Sequence, residues 1–208
     1  MGKAGFAPLI VLFGTMAVVS DQAAAHPHVA IDYKIDVQFN ATGEATGLFE
    51  TWVFDPFYSA ALVADLDGRD WSTVGLDLLG RMASQEFFTN VTANAAPVSF
   101  GSPTLKLMDQ FGPHVALTFE LPFSRPVAIN GLQYQIYDPS YYIQMLHAGV
   151  SDRITLQGAP AGCAAVVIEP QPSAAALMQA YLMDVRAEPG DGPGRHFAET
   201  VTIQCGTS

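Results

Sequence analysis

From Val29 to Phe39 apolar and polar residues alternate. Val29, Ile31, Tyr33, Ile35, Val37 and Phe39 fall on one face, and Ala30, Asp32, Lys34, Asp36 and Gln38 on the other. A period of two predicts a half-buried strand of an antiparallel sheet. Asn40-Ala41-Thr42-Gly43 reads as a turn, and Leu48 to Phe54 as a second strand in a hairpin with the first. The pattern then becomes helical. Phe57 to Ala64 follows Pro56, which suits a helix start. Thr73 to Phe88 sets Val74, Leu78 and Met82 on one face, with Leu79, Ala83 and Phe87 beside it. Strands resume at Val98–Phe100, Leu105–Met108, His114–Leu121, Leu132–Tyr137, Arg153–Leu156 and Ala164–Ile168. Ser173 caps a helix running to about Val185, Pro189 to Gly194 reads as a flexible loop, and Phe197 to Cys205 alternates as a last strand. The expected fold is mainly β: an antiparallel β-sandwich, Ig-like in general architecture. It carries a helical insertion at about 57–89 and a short helix near the C-terminus.

The first 25 residues break this pattern. Lys3 precedes an apolar run from Phe6 to Val19, then Ser20-Asp21-Gln22 and Ala23-Ala24-Ala25. That order predicts a signal peptide over 1–25, cleaved after Ala25, with one domain over 26–208. No Cys follows the small residues, and no other segment approaches a transmembrane helix. The expected product is an exported, soluble periplasmic protein with no membrane insertion after cleavage. Its charge stays at -11, since cleavage removes one Lys and one Asp. With 9 Lys and Arg against 20 Asp and Glu, no basic cluster exists to neutralise phosphates, so nucleic acid is not an expected partner. In an oxidising compartment the two cysteines, Cys163 and Cys205, suggest a disulfide; two buried thiols are the alternative.

Cleavage after Ala25 would leave His26-Pro27-His28 at the mature terminus. A free α-amine and the ring of the same His can chelate one ion, since a metal displaces the amine's proton at neutral pH. His28 adds a second imidazole. Pro27 has no N–H, so the square-planar site that uses a deprotonated second amide does not form. Side chains from the sandwich would complete the site. The candidates are Asp55, Asp138, Asp32 and the other histidines, His114, His147 and His196. Imidazole donors suit Zn, Ni, Co or Cu.

Other constellations are weaker. Asp65, Asp67 and Asp70 resemble the start of a calcium loop, but Arg69 and Leu76 stand where such a loop needs oxygen ligands. No nucleophile elbow, zincin, phosphate-loop or dinucleotide motif occurs.

Taken together, His26-Pro27-His28-Val29, Trp52-Val53-Phe54-Asp55-Pro56-Phe57-Tyr58-Ser59, Tyr137-Asp138-Pro139-Ser140-Tyr141-Tyr142 and Gly158-Ala159-Pro160-Ala161-Gly162-Cys163 resemble a bacterial family of unknown function. Its members are labelled as the periplasmic component of an uncharacterised ABC-type transport system. The resemblance spans nearly all of the mature chain. It implies a periplasmic protein associated with transport of nickel, cobalt or other divalent metals, with an inner-membrane transporter as partner. The chain departs from an ordinary two-lobed solute-binding protein in being short and β-rich, so "transport" implies an accessory role. Its acidic segment, Asp65 to Asp70, is also shorter than in many members of that family.

The sequence thus leads to an accessory that binds a divalent transition metal through His26 and His28, with His147, Asp138 and Asp55 as further ligands. Two alternatives belong to other classes. One is a copper enzyme built on an N-terminal His; the other is a docking module of a membrane transporter that binds no metal.

Overall fold

In a computed structural model of the chain, the described residues are 27–149, 153–182 and 192–206. The expected signal segment and His26 lie outside them.

Two sheets pack face to face, as the alternation predicted. The elements are β1 (Val29–Phe39), β2 (Ala45–Phe54), α1 (Pro56–Ala64), α2 (Trp71–Met82), β3 (Thr89–Ala93), β4 (Ala96–Pro97), β5 (Thr104–Phe111), β6 (His114–Val127), β7 (Leu132–Ile136), β8 (Ile143–His147), β9 (Ile154–Gln157), β10 (Cys163–Ile168), α3 (Ala174–Leu182) and β11 (Thr200–Cys205). One sheet has the order β5-β6-β2-β1-β8, with β9 also on β1; the other runs β10-β11-β7-β3-β4. The first sheet is mixed, because β8 and β9 both run parallel to β1. They follow one another along the same edge of β1, pairing with Val29–Tyr33 and Ile35–Gln38 respectively. β1 is therefore laddered on both sides over most of its length.

The alternating faces bury as their period requires. Tyr33, Ile35 and Val37 of β1 and Val115, Leu117, Phe119 and Leu121 of β6 are fully buried. Burial of each such aliphatic or Phe side chain contributes roughly 1.5–3 kcal/mol. Both helices of the insert start on an Asp. Asp55 caps α1 and Asp70 caps α2, each accepting backbone N–H bonds in the first turn. Asp70 is thus a helix cap, and Arg69 bonds Asp77 and the Asp65 carbonyl across the turn between the helices.

The second helix is shorter than its apolar spacing suggested. It ends at Met82, and Ala83–Phe88 is an irregular 3-10 segment. Glu86, Phe87 and Phe88 take φ of 48°, 57° and 55°. That left-handed run swings the chain into β3. Phe87 is thereby buried near Phe119, with ring centroids 6.4 Å apart, and Phe88 lies 6.3 Å from Trp52. β3, β4 and β8 were not expected as strands, while Val98–Phe100, expected as one, contributes only an isolated bridge from Phe100 to Phe123. β3 is only five residues of mixed polarity, and β8 follows directly on an aromatic turn.

Cys163 and Cys205 form a disulfide, and they are direct partners in the β10–β11 ladder. The bridge therefore closes a register that the strands already share. The Cys163→Ala/Cys205→Ala variant is expected to keep the fold and lose roughly 2–4 kcal/mol of stability, read by denaturant unfolding under oxidising conditions. A loss near zero would show that the β10–β11 pairing persists in the unfolded chain.

Candidate functional site

Three of the segments singled out in the sequence meet at one end of the mixed sheet, where β1 begins; the fourth, Gly158 to Cys163, lies by the other end of β1, beside Phe39 and Gly43. Asp55, at the end of β2, accepts Ala30 N–H through Oδ2 at 2.9 Å, while its Oδ1 accepts Phe57 N–H and Tyr58 N–H. From the other side, the Tyr142 carbonyl accepts His28 N–H at 2.9 Å and Val29 N–H at 3.3 Å. The exposed His28 ring lies against the Tyr142 ring, with centroids 4.9 Å apart and planes 28° apart. Two Asp-Pro turns thus grip the start of β1 from opposite flanks.

The second turn is itself tightly built. Asp138 is buried, and its carboxylate accepts Ser140 N–H, Ser140 O–H and Ile143 N–H. Tyr141 takes φ 59°, a left-handed value unusual for an aromatic residue, and stacks on Phe197 at 4.0 Å. Behind the turn the chain passes too close for any side chain. A Cβ at Gly194 would sit 1.9 Å from the Asp138 carbonyl oxygen, and one at Gly192 would sit 2.1 Å from that of Pro139. Gly194 N–H donates to the Pro139 carbonyl at 3.1 Å. Gly192 to Gly194, expected as flexible loop, is instead a backing for the turn; residues 189–191 of that loop lie outside the described residues.

Of the expected ligands, the structure brings His28, Asp55 and Asp138 to this end of the sheet. Both carboxylates are occupied with backbone N–H groups. His147 lies deeper, paired with Tyr33 in the β1–β8 ladder. Its Nδ1 is 2.7 Å from Glu199 Oε2 and its Nε2 is 3.0 Å from the Tyr134 hydroxyl. Burial raises the Glu199 carboxyl, but hydrogen bonds from the His147 ring and backbone N–H outweigh it and hold the group below its ordinary value. An ionised Glu199 can only accept, so His147 Nδ1 carries the hydrogen. Arg153 Nη1 stands 3.9 Å from Glu199 Oε1 at the outer end of this chain of groups. His114 donates through Nδ1 to the Phe54 carbonyl, while Asp32 and His196 are exposed elsewhere. Among the described residues, no group of three or more His, Cys, Asp or Glu converges to hold a metal ion. No helix among them is long and apolar enough to cross a membrane.

The core also holds polar groups that the sequence reading missed. The Tyr33 hydroxyl is buried with no hydrogen-bond partner among the described residues, and its ring lies 4.3 Å from that of His147. Burial, then the charges of Glu199 and Glu50, push its hydroxyl well above the usual tyrosine range. Glu50 is fully buried on β2. Burial pushes its carboxyl up to about 8, against hydrogen bonds from Trp52 and Thr89 that lower it. Geometry supports the neutral acid. Thr89 Oγ1 lies 3.1 Å from Glu50 Oε1 and 3.0 Å from the Phe87 carbonyl, yet has one hydrogen to give. With Glu50 ionised the one Thr89 hydrogen is shared between two acceptors; with Glu50 neutral, Glu50 can donate to Thr89 and Thr89 to the Phe87 carbonyl. In sequence, Glu50 sits at an inward position of a strand, a polar residue in an apolar pattern; that was the available signal.

The whole described architecture falls within one family match. Residues 11–205 match the family described as "Protein of unknown function (DUF1007)". The chain belongs to this family. A relative in Haemophilus influenzae, described as an uncharacterized protein, is 24% identical over 204 residues, covering 90% of this chain and 94% of its own. No solved structure gives a significant match.

The neutral Glu50 makes stability depend on pH. The folded state keeps a proton that the unfolded chain releases near its ordinary value, so stability falls as pH rises from about 4.5 through about 8. The slope from this group is up to about 1.4 kcal/mol per pH unit. Glu50→Gln keeps the acceptor for Trp52 and a donor for Thr89 without the ionisation. Its stability is expected to match wild type at pH 4.5 and exceed it increasingly up to pH 9. Denaturant midpoints across that range check this; a difference that does not change with pH would contradict it.

Proposed function

We propose that the protein is a periplasmic accessory of a divalent transition-metal transport system, and that it binds its metal through the mature amino-terminal histidines, His26 and His28. The observation that carries this reading is the double grip on the start of β1. It fixes the backbone of His28 at an exposed rim and orders the ring against Tyr142, two residues from the expected cleavage point.

Three further features support it. The apolar run before Ala25 has the form of an export signal. The disulfide is consistent with an oxidising compartment. The net charge of -11 favours the approach of cations. In this reading the His26 amine and ring and the His28 ring are the protein's donors. Such a nitrogen-rich set suits Zn, Ni, Co or Cu and would act by holding and handing over the ion. Asp55 and Asp138 act as braces, since their oxygens already accept backbone N–H bonds. His147 belongs to the interior set with Tyr134 and Glu199.

One observation favours the docking alternative as a second property of the same protein. Helix α3 buries Ala176 and Ala180 and leaves Leu177, Met178, Tyr181 and Leu182 more than half exposed. Such an outward apolar face suits contact with a membrane partner.

Correctly cleaved protein, verified by mass, is expected to bind one Zn, Ni, Co or Cu ion at micromolar affinity or tighter in isothermal titration. His26→Ala/His28→Ala is expected to abolish that binding and leave the unfolding midpoint of the metal-free protein unchanged. Stoichiometric binding that survives in the double variant, or no binding by wild type, would overturn the proposal. An extra residue before His26 converts the amine to an amide. It is expected to weaken binding at least tenfold, about 1.4 kcal/mol. Equal affinity of the two forms would show that the amine is not a ligand.

A further inference from the structure

We propose that the cleft between β9 and β10 is a binding site for a small amphiphilic carboxylate, an apolar chain ending in a single negative charge, with Arg153 as its anchor. Neither His26 nor His28 takes part in it. β9 and β10 follow one another with only residues 158–162 between them, a length that ordinarily joins paired strands. Here they do not pair: β9 lies on β1 in one sheet, and β10 lies on β11 at the end of the other. The sandwich is therefore left open between them. The opening is a cleft of about 530 Å³, and Arg153, Ile154, Leu156, Cys163, Ala165 and Val167 line it. That volume falls within the range of roughly 300–1,000 Å³ typical of small-molecule sites.

The walls of the cleft are apolar and its ends are unlike. Ile154 and Leu156 pair with Ile35 and Val37 in the β1 ladder, and Ala165 and Val167 alternate with the exposed Ala164, Val166 and Ile168. All four wall residues pack on the edge of the core yet are only half-buried. At one end Arg153 stands near Glu199, which precedes Thr200, the ladder partner of Ile168. At the other end Cys163 is bridged to Cys205. From Val167 back to Cys163 an extended strand covers about 13 Å, room for a medium-length alkyl chain. Arg153 itself is incompletely used. Its Nη1 is 3.9 Å from Glu199 Oε1, beyond hydrogen-bond length, and its side chain makes no hydrogen bond among the described residues. Glu199 Oε2 meanwhile takes the His147 ring and backbone N–H groups. A guanidinium offers five N–H donors and stays charged, and its fork matches a carboxylate with two parallel bonds. Among the residues lining the cleft Arg153 carries the one charge. A ligand with one negative charge suits it better than one with two, because the Glu199 carboxylate stands beside the same guanidinium. An apolar chain continuing from that carboxylate would cover Ile154, Leu156, Ala165 and Val167, removing their remaining apolar surface from water.

The test uses correctly cleaved protein, with decanoate and decanol as probes. Wild type is expected to bind one decanoate with a Kd of roughly 10–100 μM in isothermal titration, and decanol at least about tenfold more weakly. Arg153→Gln is expected to weaken decanoate binding about tenfold and to leave decanol unchanged, so that acid and alcohol become alike. Ala165→Phe places a large ring in the cleft and is expected to abolish binding of both. Amide NMR of wild type locates the ligand without any variant. Changes are expected at 153–157 and 163–168 and not on α3, whose exposed Leu177, Met178, Tyr181 and Leu182 are the competing apolar surface. No saturable decanoate binding by wild type would overturn the proposal, and so would spectral changes centred on α3. Equal binding of decanoate and decanol to wild type, or of decanoate to wild type and Arg153→Gln, would overturn Arg153 as the anchor.

Discussion

The grip on the first residues of β1 is the constraint from which the rest of the molecule follows. β1 is the spine of the mixed sheet, hydrogen-bonded to β2 on one side and to β8 and β9 on the other. Its register decides which side chains enter the core, because a slip of one residue would exchange Tyr33 and Ile35 for Lys34 and Asp36. Asp55 and Tyr142 lock that register at the strand's start, through side-chain and main-chain acceptors respectively. The same contacts that secure the fold therefore present His28. In this account stability and presentation are properties of a single structural feature.

The interior shows a different use of polar groups. Between the sheets lie Tyr33, Glu50, Tyr134, His147 and Glu199, all buried. Each ionisable pair there is either bonded directly, as His147 is to Glu199, or avoids charge, as the neutral Glu50 does. A buried hydrogen bond to a carboxylate of this kind is costly to break from one side, because the remaining group is left unsatisfied. The cluster also spans the two sheets, since His147 is on β8 and Glu199 just precedes β11. It ties the face of one sheet to the other at a fixed point.

Much of the fold was legible because its signals are local. The alternation in β1, β6 and β11 gave the sandwich, and Pro56 marked the first helix. What escaped was decided by distant contacts. The end of α2 at Met82 follows from Phe87 and Phe88 turning toward Phe119 and Trp52, which no helical periodicity contains. The parallel pairing of β8 and β9 on β1 is a matter of topology. At the site, the sequence marked His28, Asp55 and Asp138, yet it assigned the carboxylates as ligands where the structure uses them on backbone N–H groups. Gly192 and Gly194 read as flexible, because the carbonyls that forbid a side chain there lie some fifty residues away. His26 lies outside the described residues, so its part rests on the chemistry of the sequence.

The most direct measurement is a pair of amide NMR spectra of correctly cleaved protein, without metal and with one equivalent of zinc. The account predicts that the changes concentrate on residues 28–30 and spread to the two gripping turns, 55–58 and 138–143, while His147, Glu199 and the β10–β11 ladder stay unmoved. Changes centred on His147 and Glu199, with 28–30 unaffected, would contradict it.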